Sequence, residues 1–205
     1  MPFVFDKNIS NLARHLSLNM DNLTQPIRCH WCGNDALYTQ YHDEEWGKEV
    51  HDDKVLFEFL VLESAQAGLS WITVLRRRDN YRQAFANFDV HAVAAFTADD
   101  VERLMQDAGI IRNRLKINAT ITNARHFIKV QQEFGSFDRY LYSFIPGGKP
   151  TINQSGTVPV STDISDAISK DMKKRGFKFF GTTICYAYMQ ATGMVNDHIP
   201  DCAFR

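Results

Sequence analysis

Two pairs of cysteine and histidine residues lie near opposite ends of the chain with the spacing of metal ligands. Cys29 and Cys32 are separated by two residues, and His198 and Cys202 by three. A structural zinc binds four nitrogen or sulfur ligands in a tetrahedron, so spacing alone selects these four residues. His42 is a further candidate close to the cysteine pair. The alternative is a set of buried free thiols and a satisfied histidine. Two pairs at opposite chain ends favour the metal site.

A carboxylate among aromatic residues is the second candidate site. Glu63 directly follows Val61 and Leu62 in an apolar helical segment, where a buried carboxylate needs a partner or a function. The nearby sequence supplies all three tryptophans and two tyrosines, namely Trp31, Tyr38, Tyr41, Trp46 and Trp71. Such rings most commonly form a packed core. Aromatic walls around one carboxylate would also suit a flat, cationic heterocycle.

A glycine-containing turn with basic residues after it is the third candidate. Gly109 permits close backbone approach, and amides at the start of the next helix could bind a phosphate without reading sequence. Arg112, Arg114 and Lys116 follow this turn. An ordinary αα-hairpin is the alternative, and the basic cluster keeps a nucleic-acid interpretation open. A second basic run, 173–178, is interpreted as a solvated helix end because cations complement the helix dipole there.

Helical periodicity dominates the chain that must position these residues. Caps and apolar spacing predict helices over 53–67, 71–85, 98–105, 112–134, 140–144, 163–175 and 182–192. Residues 146–160, which begin Pro-Gly-Gly-Lys-Pro, are predicted to form an irregular loop. Strands do not alternate with helices, so the predicted fold class is all-α. Residues 1–27 are interpreted as a poorly ordered extension and residues 28–205 as one helical domain.

The composition is that of a globular protein without a membrane segment. Hydrophobic residues make up 44% and charged residues 23% of the chain, and the net charge is -1. A nucleic-acid surface must therefore be a local basic patch. No apolar run approaches the ~20 residues of a membrane span, and no signal peptide is found. We therefore expect a cytoplasmic protein whose cysteines are thiols or metal ligands.

Several long motifs are unusual in combination. They are Arg28-Cys29, Leu37-Tyr38, Tyr41-His42-Asp43, Glu45-Trp46-Gly47, the run Gln66 to Leu75, the run Gln106 to Arg112, the run Lys174 to Lys178, Gly181 to Cys185 and Val195 to His198. With these motifs the sequence resembles the bacterial DNA-3-methyladenine glycosylase I family from about residue 28 to residue 202. The resemblance implies a helix-hairpin-helix glycosylase fold with a structural zinc that joins the N- and C-terminal regions.

The resemblance also assigns roles to single residues. Its zinc ligands correspond to Cys29, His42, His198 and Cys202, so His42 replaces the Cys32 that spacing alone selects. Its damaged-base pocket corresponds to Glu63, Tyr41, Trp46 and Trp71, with Tyr38 and Trp31 as further walls. The loop with Gln66, Gly68 and Leu69 would fill the gap that a flipped base leaves. The DNA contacts that we assign are Gln66, Gly68, Leu69, Gly109, Ile110, Ile111, Arg112 and Arg114.

The implied activity is hydrolytic excision of 3-methyladenine from alkylated double-stranded DNA. Methylation at N3 makes the purine a cation and a good leaving group, so Glu63 is assigned to recognition and electrostatic stabilisation. No lysine is marked as a Schiff-base nucleophile, and we expect a monofunctional, monomeric enzyme. One alternative is a non-catalytic DNA-binding protein on the same scaffold, which Glu63 argues against. The other is a zinc-dependent hydrolase, which a zinc with four protein ligands argues against.

Overall fold

The computed structural model describes residues 26–205. Nearly all of the extension that we predicted over residues 1–27 lies outside the described residues. Across the described part of the chain, no helix is both long enough and apolar enough to cross a membrane.

Helices make up most of residues 26–205. The α-helices are α1 Ala36–Glu44, α2 Asp53–Gln66, α3 Trp71–Leu75, α4 Arg78–Ala84, α5 Val90–Ala94, α6 Ala98–Gln106, α7 Arg114–Phe134, α8 Phe137–Tyr142, α9 Asp163–Arg175 and α10 Thr182–Ala191. Short 3-10 helices occupy His30–Cys32, Ala86–Phe88 and Pro146–Gly148. Two strands, β1 Thr151–Ile152 and β2 Val195–Asn196, pair in parallel. The predicted all-α class is confirmed apart from this small pair.

The central element is α2, which packs against α3, α7, α8 and α10. Its first turn is capped by Asp52, whose side chain accepts a hydrogen bond from the amide of Val55. Every residue from Leu56 to Ala65 is buried, because the sequence is apolar on nearly all sides of the helix. At the other end, the Lys116 Nζ donates to the carbonyls of Ala65 and Ala67 at 2.8 and 2.7 Å. This ammonium satisfies carbonyls that a helix end leaves open.

Local chemistry explains where the helices depart from the predicted ranges. The predicted helix 71–85 is divided into α3 and α4, with the non-helical Arg77 between them. The predicted helix 112–134 begins at Arg114, because the Asn113 side chain caps it by accepting hydrogen bonds from the amides of Leu115 and Lys116. Helix α1 is not among the predicted helices. Its sequence mixes apolar and polar residues, so no strong apolar stripe marks it.

Candidate functional site

Four side chains from the two ends of the described chain converge on one point. They are Cys29, His42, His198 and Cys202, all buried, and their ligand atoms lie within 4.8 Å of one another. The Nδ1 atom of His198 is 3.5 Å from Cys29 Sγ and 3.2 Å from Cys202 Sγ. His42 Nε2 is 3.6 Å from Cys202 Sγ. Ideal tetrahedral zinc bonds imply a sulfur–nitrogen separation of about 3.6 Å, so this metal-ligand group has the right size for one ion.

Hydrogen bonds on the far side of each imidazole set its tautomer. His42 Nδ1 lies 2.7 Å from an Asp43 carboxylate oxygen, and His198 Nε2 lies 3.0 Å from the carbonyl of Trp46. Because these oxygens only accept, each ring directs its N–H away from the metal-ligand group and its lone pair into it. Arg28 in turn holds Asp43 with donor–acceptor distances of 2.7 to 3.0 Å. The arrangement suits a bound cation.

Cys32 lies outside this group. Its thiol is buried and donates to the carbonyl of Cys29 at 3.1 Å. The ligand set that spacing alone selects is therefore wrong, because it includes Cys32. The fold instead brings together the set implied by the resemblance, in which His42 takes that place. Spacing favoured Cys32 because a Cys-x2-Cys pair commonly binds zinc, whereas His42 reaches the site only through α1.

A cavity of about 390 Å³ opens beside the metal-ligand group. All six residues that we assigned to the base pocket line it, and we call it the aromatic pocket: Trp31, Tyr38, Tyr41, Trp46, Glu63 and Trp71. Gln66 also lines it. The other lining residues, Val158, Ala187 and Gln190, were not among the predicted site residues.

Glu63 is the buried carboxyl of the aromatic pocket. It is 3% exposed, and its Oε2 atom has no hydrogen-bond partner in the described chain. Burial raises the pKa of Glu63 to about 8, so the carboxyl is mostly protonated at neutral pH when the pocket is empty. The Nε1 donor of Trp71 is also buried without a partner among the described residues. Unpaired buried polar atoms that line one cavity indicate a ligand that supplies the missing partners.

Helix α1 supplies two pocket walls and one member of the metal-ligand group. Tyr38 and Tyr41, three residues apart on the helix, line the pocket, and His42 follows them. The helix is capped by Asp35, which accepts from the amide of Tyr38 and pairs with Arg76 at 2.6 Å. The remaining pocket residues come from the 3-10 helix His30–Cys32, from α2, α3 and α10, and from two loops, so the pocket exists only in the folded chain.

Ring contacts connect the aromatic pocket to the metal-ligand group. The ring of Trp46 lies 4.6 Å from that of His198 and is stacked on that of His42 at 6.1 Å. Trp31 contacts both Trp46 and Tyr38 edge-on, at 4.9 Å between centroids. Order in the metal-ligand group therefore sets the positions of two pocket walls.

The loop after α2 presents an apolar residue at the surface. Gly68 has a φ of +81°, a conformation that favours glycine, and open space surrounds it. Leu69 is 41% exposed. Lys116, which we grouped with the basic residues available to DNA, instead holds this loop through the carbonyls of Ala65 and Ala67.

The amides of the Gly109 turn donate within the protein. Gly109 N–H donates to Asp107 Oδ1 at 2.8 Å, and Ile111 N–H donates to the hydroxyl of Tyr81 at 3.2 Å. A Cβ on Gly109 would lie 2.9 Å from Asn80 Cγ, so glycine is needed here for packing. These two turn amides are therefore not available to a phosphate, and phosphate binding by amides at the start of α7 stays a prediction. The buried Ile110 is likewise turned inward.

Basic side chains at this turn remain on the surface. Arg112 is exposed, and Arg114 is also exposed and pairs with Glu102 at 2.9 Å. Ion pairs of this kind contribute little stability, so Arg114 can exchange its partner for a phosphate.

The connection between α9 and α10 is a second helical hairpin, from Gly176 to Gly181. Phe179 is 39% exposed and has a φ of +52°, which is unusual for an aromatic residue. The Asn123 side chain holds the backbone N–H and C=O of Lys178 at 2.8 and 2.9 Å. Helix α10 begins at Thr182, and its N-cap residue, Gly181, provides no side-chain cap. The predicted helix end is confirmed for Lys173, Lys174 and Arg175, which form the last turn of α9 before Gly176. The tight connection that follows was not predicted, although glycines at both of its ends signal a turn.

The aromatic pocket of this mostly helical protein, with its buried carboxyl, has the shape and chemistry that suit a flat, positively charged ring. The family model described as methyladenine glycosylase matches residues 31–205. The chain belongs to the methyladenine glycosylase family, and the resemblance found in its sequence is confirmed.

Relatives match over most of their length. The chain is 54% identical to DNA-3-methyladenine glycosylase 1 of Escherichia coli over 178 residues, covering 85% of this chain and 95% of the relative. It is 46% identical to DNA-3-methyladenine glycosylase of Haemophilus influenzae over 178 residues, covering 85% and 96%. Among solved structures, 3-methyladenine DNA glycosylase I from Staphylococcus aureus, studied for its recognition of 3-methyladenine, matches with a TM-score of 0.82 and 37% identity. That match covers 86% of this chain and 95% of the other.

Proposed function

We propose that this chain is a monofunctional DNA-3-methyladenine glycosylase, which hydrolyses the N-glycosidic bond of 3-methyladenine in alkylated DNA and leaves an abasic site. The observation that carries the proposal is the unpaired, buried Glu63 in the aromatic pocket of a methyladenine glycosylase family member. Monomeric state and cytoplasmic location stay predictions.

The chemistry of the damaged base matches this pocket. The target must leave the duplex stack to reach a buried pocket, at a cost of a few kcal/mol that damage reduces. The N3-methylated purine carries a positive charge, which favours the carboxylate form of Glu63 and is attracted to aromatic faces. The carboxylate can also accept a hydrogen bond from the exocyclic amine. Neutral adenine supplies no charge that favours ionisation of Glu63, so it lacks this charge-assisted interaction and is bound less well.

The leaving group is activated before the enzyme acts. Because the alkylated purine is already a cation, departure of the base needs no proton from a general acid. Water then attacks C1′ of the sugar in an oxocarbenium-like state. Glu63 and the aromatic walls therefore act by holding the cationic base and excluding neutral ones, not by donating a proton.

We propose that the metal-ligand group binds one zinc ion in a structural role. Two thiolates and two imidazole nitrogens form a donor set that suits zinc. Four protein ligands leave no position open for a catalytic water, so the ion would supply cross-linking of the two chain ends and no hydrolytic chemistry.

Release of free bases tests the proposed activity. We expect the purified protein to release 3-methyladenine from methylated duplex DNA and to leave undamaged adenine in place, as measured by chromatography of the freed bases. Borohydride should trap no covalent complex, because a monofunctional enzyme forms no Schiff base. Binding to alkylated DNA with no base released from folded, metal-replete protein would favour the non-catalytic alternative.

We propose that DNA lies across the loop with Gln66, Gly68 and Leu69, and that phosphate contacts come from side chains at the two helical hairpins. Leu69 is exposed on the short loop between the pocket residues Gln66 and Trp71, where an apolar side chain can fill the gap left by a flipped base. Arg112 and Arg114 supply the charge at the first hairpin. The uncapped N-terminus of α10 and Lys178 supply it at the second.

The salt dependence of DNA binding tests the proposed phosphate contacts of each hairpin separately. Each lost phosphate contact should lower affinity and reduce the slope of log affinity against log salt by ~0.9. We expect a reduction of about 1.8 from the double variant Arg112→Ala with Arg114→Ala, and of about 0.9 from Lys178→Ala. Lys54→Ala is the matched control, because Lys54 is exposed at the opposite end of α2, about 20 Å from the loop. A hairpin whose variant keeps the wild-type slope does not bind phosphate.

A further inference from the structure

Asp197 is a buried carboxylate that connects three parts of the chain beside the aromatic pocket. It is 3% exposed. One carboxylate oxygen accepts from the Tyr186 hydroxyl and from Gln190 Nε2, each at 2.7 Å. The other oxygen accepts from Asn153 Nδ2 at 2.9 Å. Three donors therefore surround one carboxylate, which does not itself line the pocket.

The contact between Asp197 and Gln190 determines the orientation of the side-chain amide of Gln190. A carboxylate only accepts hydrogen bonds, so the NH2 group of Gln190 must be the one directed at Asp197. The carbonyl oxygen of the same amide has no hydrogen-bond partner among residues 26–205, and Gln190 lines the aromatic pocket. Asp197 thus fixes the NH2 group of Gln190 on its own side and leaves the carbonyl oxygen as a free acceptor on the other side of the amide, in a residue that lines the pocket.

The contact with Asn153 fixes the outer wall of the pocket. Asn153 also donates to the carbonyl of Thr157 at 2.8 Å and accepts from the amide of Ser155 at 2.9 Å. These bonds close residues 153–157 into a tight turn that leads directly to Val158 in the pocket wall. The same carboxylate thus anchors a wall residue on α10 and one on the loop.

We propose that Asp197 is a positioning residue for base recognition, which acts mainly by orienting the amide of Gln190 so that a second acceptor faces the bound base beside Glu63. The inference rests on the proposed function for its ligand. Two acceptors match a base edge that carries donors, as the exocyclic amine of adenine does.

Substitution of both partners tests this route. Asp197→Asn keeps the shape but supplies an amide that can bond either atom of the Gln190 amide, so the orientation is lost. We expect free 3-methyladenine to bind roughly tenfold more weakly, and Gln190→Met to have a similar effect. Combined with Gln190→Met, Asp197→Asn should cause little further loss, because the group through which it acts is gone. Additive losses in this double-mutant cycle would overturn the proposal.

Intrinsic fluorescence provides the measurement, since all three tryptophans of the chain line the pocket. Tyr186→Phe is the matched control: it removes another partner of Asp197, but Tyr186 faces a separate cavity of about 410 Å³. We expect it to leave base affinity unchanged, and a tenfold loss in this variant would overturn the proposal. If Asp197→Asn does not fold, wild-type affinity in Gln190→Met suffices to reject the inference. Wild-type protein that binds no 3-methyladenine would reject the proposed function instead.

Discussion

Replacement of Glu63 by glutamine should make the protein more stable and a poorer glycosylase. The stability effect follows from burial, which raises the pKa of Glu63 from 4.5 to about 8. A carboxyl whose folded pKa lies above its unfolded value favours folding while it is protonated. That advantage is complete below about pH 4.5 and is lost as the pH rises through about 8.

The size of this effect is set by the interval between the two pKa values. At 1.36 kcal/mol per pH unit, the interval from 4.5 to about 8 corresponds to a cost of at most about 5 kcal/mol for the ionised carboxylate. Glutamine has no charge to bury, so the stability of Glu63→Gln relative to wild type should increase between pH 5 and 8 and then level off. Urea unfolding at pH 5, 7 and 9 measures the difference.

Glu58 offers the matched control for this variant. It lies on the same helix and is also buried, but it is paired with Arg78 at 2.6 Å and with Arg82 at 2.9 Å. Glu58→Gln breaks these ion pairs and should lower the free energy of unfolding, because the buried Arg78 loses one of its two carboxylate partners and keeps only Glu45. If Glu63→Gln raises the free energy of unfolding and Glu58→Gln lowers it, the carboxyl of Glu63 serves ligand binding and that of Glu58 serves the stability of the fold. Equal destabilisation would contradict the unpaired state of Glu63.

Although Glu63→Gln should stabilise the protein, it should slow base excision. Loss of the charge-assisted hydrogen bond that the Glu63 carboxylate accepts from the cationic base is worth roughly 1.5–3 kcal/mol, so we expect Glu63→Gln to slow excision about ten- to a hundredfold. Glu63→Ala should be slower still, with residual activity because the leaving group is already activated. Wild-type rates in folded Glu63→Ala would remove Glu63 from the mechanism.

Glu63 and Glu58 also show which features of the site could be predicted from the sequence alone. A carboxylate within an apolar helix is a local signal, so Glu63 could be predicted as a special residue. Glu58 gives the same signal in the same helix, yet it is a structural ion-pair partner. The difference lies in Arg78, which is 20 residues away and meets Glu58 only because the chain turns after α3. Pairing across the fold is not visible in local patterns.

The other site features that the sequence did not predict also depend on contacts between segments that are distant in the chain. The helices that carry most of the core could be predicted, because their apolar periodicity is local. The identity of the fourth metal-ligand residue depended on where α1 places His42, and α1 has no strong apolar stripe. Gln190 and Val158 reach the pocket from α10 and from a loop, and nothing in their own segments points to a site. The amides of the Gly109 turn bond to Asp107 and Tyr81, which no turn motif reveals.

Loss of the metal should disassemble the aromatic pocket as well as destabilise the fold. The metal-ligand group joins residues near both ends of the described chain, so an ion there closes a long loop. We expect about one zinc per chain in protein purified without added metal. Cys202→Ser should lose the zinc and several kcal/mol of stability. Cys32→Ser is the matched control, since this buried thiol lies outside the group and should keep the metal.

The response of base binding distinguishes a structural zinc from a catalytic one. Trp46 packs on the rings of both His42 and His198, so a disordered metal-ligand group displaces a pocket wall. Affinity for free 3-methyladenine should therefore fall together with the melting temperature in Cys202→Ser. A catalytic metal would instead lower the excision rate and leave base affinity intact. Less than about half an equivalent of zinc in folded, fully active wild-type protein would show that the group holds the chain ends together without an ion.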